Sequence, residues 1–443
     1  MTDIEGRRSK LSPEKRALLE KRLRGIAADA HPAGPAAPRP AEAPGVRSDE
    51  LTADLLHAGD AGAAGDVGKV GAGPARLVGD ELWRDLVDLG EREARRLAQE
   101  PDLLADAARE PRLDQVSTGF VCIALASLGA FRQAGEERTI DGLIRDLGVL
   151  PKHRKVLRRW FATLAEDGIL EPRGEVYVSR EPLPPAALVE LASAEQQAYI
   201  REKLPEVLTG KSHPLEFFLP EGSSSTVEAS YRELAIFRYC NGISDVLLAN
   251  QVQALPAGRR LRILEIGAGT GGTTASLLPL LPAERTTFVF TDVSKFFLDL
   301  GRKKFAEFPF VRYRELDIEK APEPQGYPAA SFDWIVAAHV LHATRNIAET
   351  LAHVRRLLAP GGVLLLLEET RFQRKFNFSM GFLPGFDHFE DYALRPLHPL
   401  LTSQLWGEAL RAHGFADFVS FSEAGSAPFV LGVDVMLARL GSA

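Results

Sequence analysis

Two histidines, His339 and His342, stand three apart in "HVLHAT" (339–344), directly after the apolar run "FDWIVAA". Histidine titrates nearest neutrality, so one at the mouth of a buried strand is a candidate general base. The plainer reading is a ring that closes a strand end and fills space. The next apolar run ends in "LLLLEET" (364–370), which offers Glu368 and Glu369. A carboxylate behind an imidazole fixes its tautomer, frees the other nitrogen to take a proton and stabilises the imidazolium. Adjacent strand residues point to opposite faces, so only one of the two glutamates is expected to serve. An H-x-x-H metal pair is formally present, yet no cysteine or third histidine is placed to complete it, and no metal is expected.

A second chemical stretch is "LEIGAGTGG" (264–272), with Gly267, Gly269, Gly271 and Gly272 after an apolar run. Glycines there allow a sharp turn and close approach to a ligand at a helix N-terminus. The motif alone fits a nicotinamide dinucleotide or S-adenosylmethionine. Three acids decide it. Glu265 precedes the loop, where an anion suits the aminoacyl end of a sulfonium cofactor better than a pyrophosphate. Asp292 in "FTDVS" follows at the distance of a ribose-binding acid. Asp317, with Ile318 beside it in "LDIE", ends a third run and is placed to meet an adenine amine. For each acid alone, a helix cap or surface charge is the competing explanation. Acids at three successive strand ends point to S-adenosylmethionine, with S-adenosylhomocysteine as its product.

The elements that hold these residues are legible in outline. "LRILEIG", "TFVFTDVS", "VRYRELDI", "FDWIVAAHV" and "GGVLLLLEE" are five apolar runs separated by helix-like segments, the pattern of a doubly wound parallel sheet. Upstream, 79–205 reads as helical. Within it, "TIDGLIRDLGVLPKHRKVLRRWFATLAEDGILEPRGEVYVS" runs helix, turn, helix, hairpin, like a winged helix. Its second helix carries an apolar stripe (Val156, Trp160, Leu164) and a basic face of Lys152, Arg154, Lys155, Arg158 and Arg159. That face offers itself to phosphates or to an acidic protein. Residues 11–25 form a short helix signal, with Ser12 as cap, Pro13 at the first turn and Gly25 at the end. Residues 28–78 are rich in Ala, Gly and Pro, as flexible linkers are. Three units are therefore expected: 1–78, 79–205 and 206–443.

The 443-residue chain is 45% hydrophobic and carries a net charge of −7, which suits a globular enzyme and gives no general attraction to nucleic acid. Two cysteines make a disulfide framework implausible and fit a reducing cytoplasm. No run reads as a signal peptide or membrane span.

These motifs, in order and spacing, resemble the C-methyltransferase domains of type I polyketide synthases. "LRILEIGAGTGGTTASLLPLL", "FTDVSKFFL", "LDIEKAPEPQG", "SFDWIVAAHVLHAT" and "LLAPGGVLLLLEET" carry the likeness. "YRELAIFRYCNG" upstream and "GFLPGF" and "LRPLHPLLTSQLW" downstream extend it over 225–415; 79–205 is similar to their helical lid, and 11–23 to linker helices at module junctions. The resemblance implies a class I, Rossmann-like methyltransferase core beneath a mainly helical, winged-helix-like lid. The implied reaction methylates the α-carbon of a β-ketoacyl chain on an acyl carrier protein.

His342 and Glu368 match the family's catalytic pair. Glu265, Gly267, Gly269, Gly271, Asp292, Asp317 and Ile318 fall on the cofactor side. His339 stands where the family has asparagine and is expected as a wall beside the cofactor. Tyr239 and Asn241 match positions on the helix over the cofactor, Tyr239 toward it and Asn241 toward the substrate carbonyl; a packed aromatic and a helix end explain them equally. Phe382 and Phe386 either line an acyl channel or fill a core. The basic helix face would greet an acidic carrier protein, and the N-terminal helix other synthase subunits. Two rivals stay open: an oxygen or nitrogen methyltransferase of the same fold, and a winged-helix DNA-binding regulator.

Overall fold

The computed structural model describes residues 77–213, 235–382 and 385–441. The helix and linker expected over 1–78 lie outside the described residues, apart from Leu77 and Val78. Two long helices come first, α1 (Asp80–Leu97) and α2 (Pro101–Leu128). Proline opens α2, and Gly129 ends it in the left-handed conformation (φ 99°) that a side chain would resist.

Next come β1 (Glu137–Thr139), α3 (Ile140–Asp146), α4 (Arg154–Glu166), β2 (Leu170–Arg173) and β3 (Val176–Ser179). The strands form an antiparallel sheet in the order β1-β3-β2 behind the two helices, which is a winged helix. The Thr139 hydroxyl caps α3 by accepting from the Gly142 amide. Two further helices, α5 (Ala186–Val189) and α6 (Ala194–Leu208), complete this part, and a Ser193–Gln196 capping box starts α6. Phe120–Leu125 of α2, Leu157, Trp160, Phe161 and Leu164 of α4, and Ile200 and Leu204 of α6 share one core.

The remainder is α7 (Ala235–Gln253), β4 (Leu261–Ile266), α8 (Gly272–Leu277), β5 (Thr286–Asp292), α9 (Lys295–Lys304), β6 (Val311–Glu315), β7 (Phe332–Ala338), α10 (Ile347–Leu357), β8 (Leu358–Glu369), α11 (Ser403–Ala412), β9 (Phe415–Ser420), α12 (Ala427–Leu431) and β10 (Val433–Leu440). A seven-stranded sheet runs in the order β6-β5-β4-β7-β8-β10-β9, with only β10 antiparallel to its neighbours. The central runs are apolar throughout because both faces are covered. Ile263, Phe288, Trp334 and Leu365 face α1 and α7, whereas Leu264, Val289, Ile335 and Leu366 face α10 and α11. The strand order reverses between β4 and β7, and the crevice above such a switch point is where open α/β sheets take ligands.

Two expected boundaries differ from the observed packing. Trp83, Leu86 and Leu97 of α1 pack in the same core as Ile243 and Leu247 of α7, so α1 covers the large sheet instead of joining the winged helix. The 205/206 division falls inside α6, whose Val207 and Leu208 lie in the core around the winged helix. Neither is visible in composition, because an amphipathic helix does not say which apolar face it will cover. The last two strands, β9 and β10, are additions to the five expected runs.

Candidate active site

The two histidines and two glutamates meet at the carboxyl ends of β7 and β8. These strands pair in parallel, Ala338 opposite Leu367, so the residues that follow leave the sheet side by side. Glu368 is fully buried, and its two oxygens do different work. Oε1 accepts from the backbone amides of Val340 (3.2 Å), Leu341 (2.8 Å) and His342 (3.3 Å). Three amides converging on one oxygen fix the position of the carboxylate. Oε2 takes a short hydrogen bond from Nδ1 of His342. That bond commits Nδ1 to carry the proton and leaves Nε2 as the ring's basic nitrogen.

Burial pushes the His342 pKa down, but the charge and hydrogen bond of Glu368, then the charge of Glu369, outweigh it and raise the pKa to about 9. On the far side, the buried guanidinium of Arg395 donates to the carbonyls of His342 (2.7 Å), Thr344 (2.9 Å) and Arg345 (3.1 Å). Arg395 is itself fixed to Asp391, 2.5 Å away, whose other oxygen accepts the Ile347 amide at the start of α10. The histidine loop is thus gripped by an acid from the sheet and by a cation from the segment before α11.

Glu369 does not point away from both rings, as strict strand alternation had it. Its Oε2 lies 3.0 Å from Nδ1 of His339 and 3.8 Å from Nδ1 of His342. Glu369 is the last residue of β8, where the pleat ends, and His339 has left β7 with a left-handed backbone (φ 54°). That conformation is several-fold enriched in asparagine, aspartate and histidine among non-glycine residues. The group that could hold a metal ion among the described residues includes neither His339 nor a cysteine. His342, Glu368 and Glu369 bring ligand-type atoms within 4.8 Å of one another, although the His342–Glu368 hydrogen bond already occupies two of them.

Across the crevice, Gly267, Gly269 and Gly271 all have left-handed backbones (φ 60°, 56° and 71°). A methyl group on Gly267 would stand 2.3 Å from Val340 Cγ2, so glycine there lets the two loops touch. Gly272 faces open space, and Gly269 meets only the Gly267 carbonyl, at 3.9 Å. Asp292 closes this cradle: its carboxylate accepts from the Gly269 amide (3.0 Å) and the Ser294 amide (2.8 Å). Glu265 is buried behind the loop, accepts from the Thr274 hydroxyl (2.6 Å), and is pushed up to about 8, chiefly by burial. An open, glycine-walled cradle with an acid at the end of β5 fits S-adenosylmethionine.

The outer cofactor positions are less direct. Asp317 lies two residues beyond β6, and its carboxylate is engaged by the Glu319 amide and Lys320. Ile318 is buried, and its carbonyl accepts from His353.

The remaining expected site residues lie on α7 and around the winged helix. Tyr239 is buried and gives its hydroxyl to the Phe421 carbonyl (3.1 Å), so it is a packed aromatic. Asn241, two residues along, sits half-buried in the body of α7 and not at its end. Phe382 is wedged edge-on against His153 and Trp160, and Phe386 against Phe376 beneath the Arg159 guanidinium; both fill cores. The cause is the basic helix face. Arg159 is 1% exposed and pairs with Asp387; its Nη2 also donates to the Gly381 carbonyl (3.0 Å). Lys155 donates to the carbonyls of Asp387 (2.5 Å) and Phe389 (2.8 Å), and Trp160 Nε1 to that of Asn377 (2.7 Å). Two of the five residues of that basic face are therefore turned inward, onto residues 377–382 and 385–389. Only Lys152, Arg154 and Arg158 remain exposed, which removes the main support for a DNA-reading helix.

Residues 264–364 match the family model described as a methyltransferase domain. The chain is similar to the CurJ carbon methyltransferase structure (TM-score 0.73, 31% identity), a likeness covering 82% of this chain and 99% of that one. It is also similar to the citrinin polyketide synthase CMeT domain (TM-score 0.66, 25% identity; 84% and 100%). Among curated proteins, the non-reducing polyketide synthase mapC of Penicillium brevicompactum is 30% identical over 325 residues, 69% of this chain. The chain spans only 13% of that relative's length.

Proposed function

Because this chain belongs to the carbon methyltransferases of polyketide synthases and uses S-adenosylmethionine, we propose that it methylates the α-carbon of a β-ketoacyl thioester on an acyl carrier protein, with His342 as base. The supporting observation is the buried His342–Glu368 pair, standing at the sheet's switch point against the glycine cradle. Carbon is a nucleophile only after losing a proton, and the α-hydrogen between two carbonyls is the one a histidine can remove.

S-adenosylmethionine supplies an electrophilic methyl group; the chain's residues do the rest. The glycine cradle and Asp292 receive the cofactor, and Glu265 backs the loop. Nε2 of His342 takes the α-proton while Nδ1–H stays on Glu368, which stabilises the imidazolium as it forms. The amides of 340–342 hold Glu368 in place, and Arg395 keeps the loop from following the proton. The carrier protein delivers the acyl chain to the crevice between the glycine cradle and the His342 loop.

The test is a mass-spectrometric methyl-transfer assay on a β-ketoacyl carrier protein, comparing wild type with His342→Ala and Glu368→Gln. The expected result is label on the α-carbon, reduced at least 10³-fold by His342→Ala and about 10²-fold by Glu368→Gln. Label on oxygen or nitrogen, or transfer indifferent to His342, would sink the reading.

A further inference from the structure

A cavity of about 270 Å³ lies between α4 and two segments that lead out of the active site. One is 371–374, which continues β8 past Glu368 and Glu369. The other is 397–398, just beyond Arg395, whose guanidinium holds the His342 carbonyl (2.7 Å). No step of the proposed reaction uses this space. Part of its wall is aromatic: Phe372 stacks on His398 with ring centroids 5.0 Å apart. Nε of Arg159 and Nδ1 of His398, both on residues of this wall, are buried without a hydrogen-bond partner. Such atoms are uncommon and ask for an explanation, such as a ligand that uses their residues. The arginines here differ in commitment. Arg159 pairs with Asp387, and Arg374 with Asp167 (2.7 Å) and the Thr118 hydroxyl (2.8 Å). Arg371 is exposed, and its side chain has neither ion pair nor hydrogen bond among the described residues. Two acids also line the cavity: Asp114, which accepts the Arg374 amide (3.2 Å), and Glu166, which is exposed. They disfavour a multiply charged ligand and leave place for one negative charge beside Arg371.

We propose that this cavity receives the pantetheine arm of the carrier protein and that Arg371 binds its phosphodiester, which makes Arg371 a determinant of substrate recognition. This rests on the carrier-protein reading above. A phosphodiester carries one negative charge, and a planar guanidinium meets two of its oxygens with parallel N–H donors. The reach is right as well. Glu368 and Arg371 stand three residues apart, so their Cα atoms are separated by at most about 11 Å. The arm is a cysteamine and two amide-linked units, about as long as five extended residues, on the order of 17 Å. A thioester carbonyl beside His342 therefore puts the phosphodiester within range of the Arg371 side chain. The apolar, dimethyl-bearing stretch of the arm suits the Phe372–His398 stack. His398 stays neutral there, because burial and then the charge of Arg159 push its pKa down to about 4.

Two small substrates isolate the phosphate: acetoacetyl-pantetheine, and the same thioester bearing a methyl phosphodiester at its far hydroxyl. Methyl transfer to each by the full chain is followed by mass spectrometry, with the β-ketoacyl carrier protein run alongside. Wild type is expected to prefer the phosphodiester about ten-fold in kcat/KM, through KM. Arg371→Met should bring that preference to within two-fold, and Arg371→Lys, which keeps the charge without the fork, should retain part of it. Equal kcat/KM for the two thioesters in wild type, or a preference that survives Arg371→Met, overturns the proposal. An equal loss on both thioesters in Arg371→Met also overturns it and makes Arg371 a support of the fold. Label on the carrier-bound chain with none on either thioester does the same, since the arm alone would then supply no recognition. His342→Ala keeps the two readings apart. If it abolishes α-carbon label while wild type ignores the phosphodiester, the base reading stands and this one falls; if no α-carbon is labelled in any of the three substrates, both fall.

Discussion

In the proposed reaction, His342 is a base that begins by holding a proton. Its pKa, raised to about 9 mainly by Glu368, means that the ligand-free enzyme at pH 7 is mostly imidazolium. Activity measured as kcat/KM is therefore expected to climb with pH and level off near 9, because that ratio reports the free enzyme's groups. Glu369→Gln removes a second negative charge 3.8 Å from the ring and should move the rising limb to lower pH. A limb that stays put in the variant would show that Glu369 does not act on His342. At this scale, the sequence displayed His342, Glu368 and the glycines because each chemistry demands a residue type at a strand end. It hid Arg395 and Asp391, which read as ordinary charges in "DYALRPLHP" and become a buried clamp only when the chain folds back on the 342–345 loop. It also hid the amide trio on Glu368, since backbone donors leave no mark in a sequence.

Helix α4 shows how an element can be read correctly and turned the wrong way. Its winged-helix setting was visible in the helix–turn–helix–hairpin pattern, and its basic face was counted. The direction of that face was not visible, because the partner is Asp387, far away in the chain. Removing one member of a buried ion pair strands the other, at a cost of about 3–5 kcal/mol. Arg159→Met is expected to destabilise the fold by about 3 kcal/mol in denaturant unfolding, since Asp387 keeps some solvent. Adding Asp387→Leu should recover most of the loss, because well-packed apolar groups replace buried pairs with little penalty. A double variant no more stable than the single one would mean that the Arg159 hydrogen bond to the Gly381 carbonyl, and not the ion pair, carries the effect.

At the scale of the whole molecule, stability and activity should run against each other with pH. Glu265 and His342 both have folded-state pKa values above their ordinary ones, about 8 against 4.5 and about 9 against 6.5. A group raised on folding holds its proton longer in the native state, so its contribution is complete below the ordinary value and lost as pH passes the folded one. The melting temperature of ligand-free protein is expected to fall from about pH 5 to pH 9, through Glu265 first and His342 later. Glu265→Gln should flatten the part below pH 8; an unchanged slope there would remove Glu265 from the account. The parallel sheet behind this balance was legible as five apolar runs. The edge strands and the allegiance of α1 were not, because they depend on which apolar surfaces the first five strands leave uncovered.

The contact between Gly267 and Val340 joins two motifs usually treated as separate recognition signatures. The glycine loop and the loop that carries His342 share one steric seam, with no room for even a methyl group. A larger side chain at 267 would displace the one at 340. For engineering, a transplanted glycine motif would need its own histidine loop as companion, and a chimera that divides them would join two halves shaped for other partners.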